Sequence, residues 1–179
     1  MLRLRQGVAY PPGVTSIPPS WAHLQPASVK ALLEPPGRLP KALRITPDDV
    51  PVEIALAVPM VIAARLLLEL AVKQGGLVLT PAGFLKRADV WHIFDQTEWP
   101  GYDKATTLAM NKVINEQDAY GVFFTRAALQ AAGLLRKRAG VLKATKVAKS
   151  VLTDEAAPAL LGELFQAVFW KMSLQDFDR

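Results

Sequence analysis

The run GLLRKRAGVLKAT, residues 133–145, constrains the fold more than any other part of the chain. Two short segments, 134–138 and 141–145, flank Ala139-Gly140, and a two-residue connection of this kind closes a tight β-hairpin. Upstream, Phe123, Ala127 and Ala131, joined by Phe124 and Ala128, recur at helical spacing and predict a helix from Ala119 or Tyr120 that stops at Gly133. Residues 119–150 therefore read as a helix followed by a hairpin. That helix would turn Thr125, Arg126, Gln130 and Tyr120 outward.

The same segment concentrates the charge. Residues 119–153 hold Arg126, Arg136, Lys137, Arg138, Lys143, Lys146 and Lys149 and no acid. The whole chain carries a formal net charge of +5, so the remainder is slightly acidic and the basic character is local. Seven cations on a helix, a hairpin and the start of the helix behind it suit contact with phosphates. A solvated basic face that keeps the hairpin soluble and discourages edge pairing is the structural alternative.

Composition removes several chemistries. With no cysteine, disulfides, thiolate metal sites and cysteine nucleophiles are excluded, and His23 and His92 are too few for a histidine-rich metal site. No glycine loop has the spacing of a phosphate cradle, because Gly75-Gly76 lacks the G-x-x-x-x-G-K pattern. His92 has no serine or second histidine beside it in sequence, and Asp48-Asp49 suits a helix start better than a metal. No catalytic residue, cofactor or metal is expected. The charge-free apolar stretch 54–64 is too short for the roughly 20 residues of a spanning helix, so no membrane is expected either. Nothing in the first residues reads as a secretory signal, and a cytoplasmic location is expected.

About half of the 179 residues are apolar, enough to build one domain or two small packed units. Residues 1–45 are proline-rich and predict an extended arm, with a short helix at 27–33, that wraps the body. Residues 46–102 form a first unit. Thr46-Pro47-Asp48-Asp49 starts a helix, Pro59 starts a second that runs to Lys73, residues 77–80 form a strand and residues 83–96 a helix. Residues 103–153 form a second unit, with a helix at 104–116 that turns Leu108, Val113 and Ile114 inward, then the helix and hairpin, then a helix from Lys146. Residues 154–179 close the chain with a strongly apolar helix at 157–172. Its Leu161, Phe165, Phe169, Trp170 and Met172 suit either a homodimer seam or internal packing.

An offset of 65 residues aligns Leu70 with Leu135, Gly75 with Gly140, Leu77 with Leu142, Thr80 with Thr145 and Gly83 with Ala148. In both places a glycine turn leads into a strand ending in a threonine that can cap the next helix. The segment 133–149 resembles the wing of winged-helix proteins, which reads G-L-[LIV]-x, a charged turn, then L-x-[LAV]-T-x-x-G. Residues 75–83, GGLVLTPAG, are similar to its second half. Over residues 46–152 the chain resembles a poorly characterised bacterial group in which G-L-x-L-T-x-x-G precedes a helical region ending in such a wing. The resemblance implies a mainly α fold with small β-hairpins, winged-helix-like, with the two units as a tandem pair in one globule. Winged helices serve both as DNA readers and as protein-contact modules. The expected function is nucleic-acid binding, of duplex DNA, through Arg126, Gln130, Arg136, Lys137, Arg138, Lys143, Lys146 and Lys149. Contacts to the backbone would dominate, because the helix is mostly alanine and aromatic. The alternative is an interaction or scaffold module of a bacterial assembly that binds a protein partner.

Overall fold

The computed structural model describes residues 26–27 and 50–172. The chain divides into two compact units, Met1–Glu34 and Pro35–Arg179. In the first, Pro26 and Ala27 are helical and exposed. The rest of the arm, the start at Thr46-Pro47 and residues 173–179 lie outside the described residues.

The second unit runs α1 (Val52–Ala57), α2 (Pro59–Lys73), β1 (Leu77–Val78), α3 (Arg87–Gln96), α4 (Lys104–Met110), α5 (Tyr120–Ala131), β2 (Leu135–Arg138), β3 (Val141–Ala144), α6 (Lys146–Ser150), α7 (Ala157–Gln166) and a π-helical turn Ala167–Lys171. It is mainly helical with a small antiparallel sheet. Prolines set the first helices. Pro59 takes the first position of α2, where its missing amide costs no bond, and it holds Val58 extended at φ −71°, ψ 121°. One apolar run thereby becomes two helices.

Helix α2 is the centre of the unit. Its buried stripe of Val61, Ala63, Ala64, Leu67, Leu68 and Ala71 meets α1, α3, α5, α7 and β3. Arg65, on the same helix, donates to Leu152 O at 3.1 Å and to Asp154 Oδ1 at 2.6 Å, which ties the approach to α7 onto α2.

The strands lie in the order β1-β3-β2, all antiparallel. Leu77 pairs with Leu142 and Val78 with Val141, so the two segments aligned by the 65-residue offset are neighbouring strands of one sheet. Side chains alternate across the pleat. Leu77, Leu135 and Leu142 point into the core at 0–1% exposure, each contributing about 1.5–3 kcal/mol by burial. Val78, Arg136, Arg138 and Lys143 share the opposite, outward face. Gly76 permits this pairing. Its φ is +130°, and a Cβ there would stand 2.6 Å from Val141 Cγ1. The hairpin turn is as expected: Ala139 and Gly140 both take positive φ, 48° and 74°.

Several boundaries move. The expected strand at 77–80 ends at Val78. The expected helix at 83–96 begins only at Arg87, because residues 80–84 close a turn in which Gly83 N donates to Thr80 O and Thr80 N donates to Phe84 O, both at 2.8 Å. The helix expected at 104–116 ends at Met110. Asn111 turns extended, and its side chain donates to Thr107 O, competing with the backbone ladder. Leu108 and Val113 are exposed and Ile114 is buried, so α4 contributes no side chain to the core. The helix at 157–172 changes at Ala167 to a π-helical turn.

Candidate nucleic-acid interface

The hairpin places its cations by strand register. Arg136 stands directly opposite Lys143, and Arg138 opposite Val141, on the outward face of the sheet. Lys137 falls on the other face beyond the core, and its Nζ lies 3.3 Å from where a Cβ on Gly83 would be. It therefore rests on the 80–84 turn. Thr145 caps α6 by accepting from Ala148 N at 3.3 Å, and Ala148 is fully buried. That cap fixes the start of a helix whose Lys146 and Lys149 are exposed. All six cations from Arg136 to Lys149 are exposed, and among the described residues none is in an ion pair.

The α5 residues are disposed differently. Arg126 is largely buried and paired through Nε with Glu116, whose side chain has no exposure. Its Nη1 donates to Gln130 Oε1 at 3.0 Å. The other Glu116 oxygen accepts from Leu85 N at 2.6 Å. The expectation that Thr125 faces outward is corrected: it is 1% exposed, and Val122, Thr125, Ala128 and Leu129 form the buried side of α5. Helix phase is set here by contact with α2 and α3, and the two phenylalanines stay half-buried.

The 97–119 connection packs on the start of α5. A Cβ on Gly121 would land on the Trp99 indole, so glycine is what admits that ring. Tyr102 stacks on Tyr120 at 5.0 Å, and Tyr120 on Phe124 at 5.8 Å. Burial, with Tyr102 alongside, pushes the Tyr120 phenol up. Asp103 caps α4. The Thr106 hydroxyl and the amides of Thr106 and Ala105 hold its carboxylate below the usual range.

A second basic feature lies beside the 80–84 turn and was missed in the sequence. A cleft of about 480 Å³ is lined by Thr80, Phe84, Leu85, Lys86, Arg87 and residues 115–117. Lys86 and Arg87 are exposed, and Arg87 Nε donates to Asn115 Oδ1 at 2.9 Å. They occupy the N-cap and first turn of α3, the end where the helix field disfavours cations, so neither serves the helix. In sequence they were two ordinary charges inside an expected helix.

Other candidates stand apart. His92 is exposed beside Gln96, and Asp89 is buried, accepting from Gln74 Nε2 at 3.0 Å. Among the described residues no group of three or more histidines or carboxylates could hold a metal, and no helix is long and apolar enough to cross a membrane.

The Y4jL N-terminal domain family matches residues 56–157, from the end of α1 to the start of α7, and so takes in the sheet, the Glu116–Arg126 pair and the cleft. A curated relative, "Uncharacterized protein y4jL" of Sinorhizobium fredii (strain NBRC 101917 / NGR234), is 30% identical over 106 residues, 59% of this chain and 48% of the relative. The chain thus spans about half the length of that relative. No solved structure matches.

Proposed function

The chain belongs to the Y4jL N-terminal domain family, and we propose that it binds nucleic acid, duplex DNA, through the outward face of its basic hairpin, gripping the phosphate backbone and performing no catalysis. The observation that carries this reading is the Arg136–Lys143 pair. Like charges directly opposite on a sheet are destabilising, so folding alone would select against them. Protection of a sheet edge explains cations on β2, which is an edge strand, but not Lys143, which sits on the central strand. A phosphate backbone supplies the missing anions.

The element order supports a winged-helix-like docking. A helix, a strand, three further helices and a hairpin whose second strand pairs with the first strand follow one another along the chain. The 23 residues 97–119 between α3 and α5, with α4 inside them, depart from the short turn such modules use. Arg126 and Gln130 are engaged by Glu116 and by each other, which leaves α5 little with which to read bases. Lys146 and Lys149 extend the backbone contact. In this reading the protein works in the cytoplasm.

The test is duplex binding by fluorescence anisotropy from 50 to 200 mM salt. Changing Arg136, Lys137 and Arg138 together to alanine should lower the slope of log K against log salt by about 1.8, for the two outward cations Arg136 and Arg138 at about 0.9 per phosphate contact. Unchanged binding by that variant would remove the hairpin as the contact. A second reading, a protein-contact module or homodimer, is favoured by Phe169, 63% exposed and in ring contact with Phe165 and Trp170. A monomeric mass in light scattering at micromolar concentration would eliminate the dimer.

A further inference from the structure

We propose that the cleft lined by Lys86 and Arg87 is a second phosphate site, which takes a backbone phosphate of the same nucleic acid that the hairpin grips. This rests on the hairpin reading and extends it to a residue pair on another element. Three observations converge. The cleft, about 480 Å³, has room for a phosphate with its hydration. Its charge suits an anion: Lys86 and Arg87 are exposed at its wall, while the carboxylate in its lining, Glu116, is already engaged by Arg126 and Leu85 N. Asn115 and Gln117 add neutral polar groups, and Asn115 holds the Arg87 guanidinium through its Nε. Arg87 keeps its two terminal nitrogens for an acceptor, since no described residue bonds them.

The third observation is continuity. The Lys137 ammonium rests on the 80–84 turn at Gly83, and Thr80 and Phe84 of that turn line the cleft. Gly83 and Lys86 are three residues apart, at most about 10 Å of chain. A positive path therefore leads from the hairpin over Lys137 to Lys86 and Arg87. A strand that passes from the outward face over the edge strand β2 to Lys137 would meet the cleft next.

The experiment compares three proteins by duplex anisotropy across a salt series: the unchanged chain, Lys86→Gln with Arg87→Gln, and the triple hairpin variant. Glutamine keeps a polar stem and a donor for Asn115, and equal thermal midpoints establish that the fold is retained. The double glutamine variant should lower the salt slope by about 0.9, the one phosphate contact that the cleft would hold. An unchanged slope in it, with a reduced slope in the hairpin variant, overturns the cleft site and leaves the hairpin reading standing. A reduced slope in it with an unchanged hairpin variant keeps the cleft and removes the hairpin. No duplex binding by the unchanged chain overturns both. Inorganic phosphate separates the remaining source. If it raises the thermal midpoint of the unchanged chain above that in chloride at equal ionic strength, the glutamine variant lacks the rise, and that variant keeps the full duplex salt slope, the cleft holds a small free anion and the backbone assignment fails.

Discussion

Arg126 and Arg136 are ten residues apart and carry the same charge, yet they occupy opposite situations. Arg126 is 12% exposed at its side chain and closes on a carboxylate with no exposure. Arg136 is exposed, faces another cation across the strand pair and has no ion-pair partner among the described residues. The helix spends its cation on holding the fold, and the hairpin leaves its cations free. A cluster of positive charge in a sequence is thus not one resource. What each cation can do for a ligand depends on whether an acid from elsewhere in the chain has reached it first.

The largest expected effect breaks the helix side of the contrast. Glu116→Ala leaves Arg126 buried without its anion and Leu85 N without an acceptor. Loss of one member of a buried pair costs about 3–5 kcal/mol. The hairpin triple variant removes only exposed side chains and should stay within about 0.5 kcal/mol. Urea denaturation measures both. If Glu116→Ala costs less than about 1 kcal/mol, Arg126 is not held by that pair and returns to the candidate contacts.

A smaller effect tests whether the 97–119 connection orients α5 separately from the hairpin. Gly121→Ala sets a methyl group on the Trp99 indole. The overpacking should cost about 1–3 kcal/mol, more than the gain in helix propensity of about 1 kcal/mol returns. Because Trp99 lies at the start of α5 and the hairpin follows its end, salt-dependent duplex binding should be unchanged at temperatures where the variant is folded. A reduced salt slope there would tie the connection to the interface.

The hairpin was legible in the sequence because its causes are local. Ala139-Gly140 sets the turn, alternation sets the register, and glycine at 133 ends the helix. The exposure of the six cations has equally local causes: the hairpin register sets Arg136, Arg138 and Lys143 outward, and the Thr145 cap starts the helix that exposes Lys146 and Lys149. The state of Arg126 was not legible. Its partner lies ten residues upstream in a stretch expected to be helical, and the carboxylate is drawn in by Leu85 N, 31 residues away. Nor was the pairing of the third strand, expected at 77–80, with the hairpin. Residues 75–83 resemble the second half of the hairpin segment, but the resemblance does not say that the two stretches pair, and Leu77 and Leu142 are register partners in one sheet. The cleft needed the fold, because it joins the 80–87 segment to residues 115–117.

The smallest effect sharpens the hairpin side. Arg136→Glu converts the like-charge pair with Lys143 into an opposite pair at the same register. Cross-strand pairs of this kind are worth about 0.2–1 kcal/mol, and exposure puts the gain toward the lower end. The variant should therefore be slightly more stable than the unchanged chain, and its advantage should shrink with added salt. Its duplex affinity should move the other way, because a cation is replaced by an anion where a phosphate would sit. Opposite signs on the two measurements would mean that Arg136 is kept against the interest of the fold, as a ligand contact requires. If stability and affinity both fall, Arg136 has a structural partner and the contrast with Arg126 narrows. If stability rises and affinity is untouched, the cations of the hairpin are a solvated face, and the contrast separates a folded interior from bare solvent.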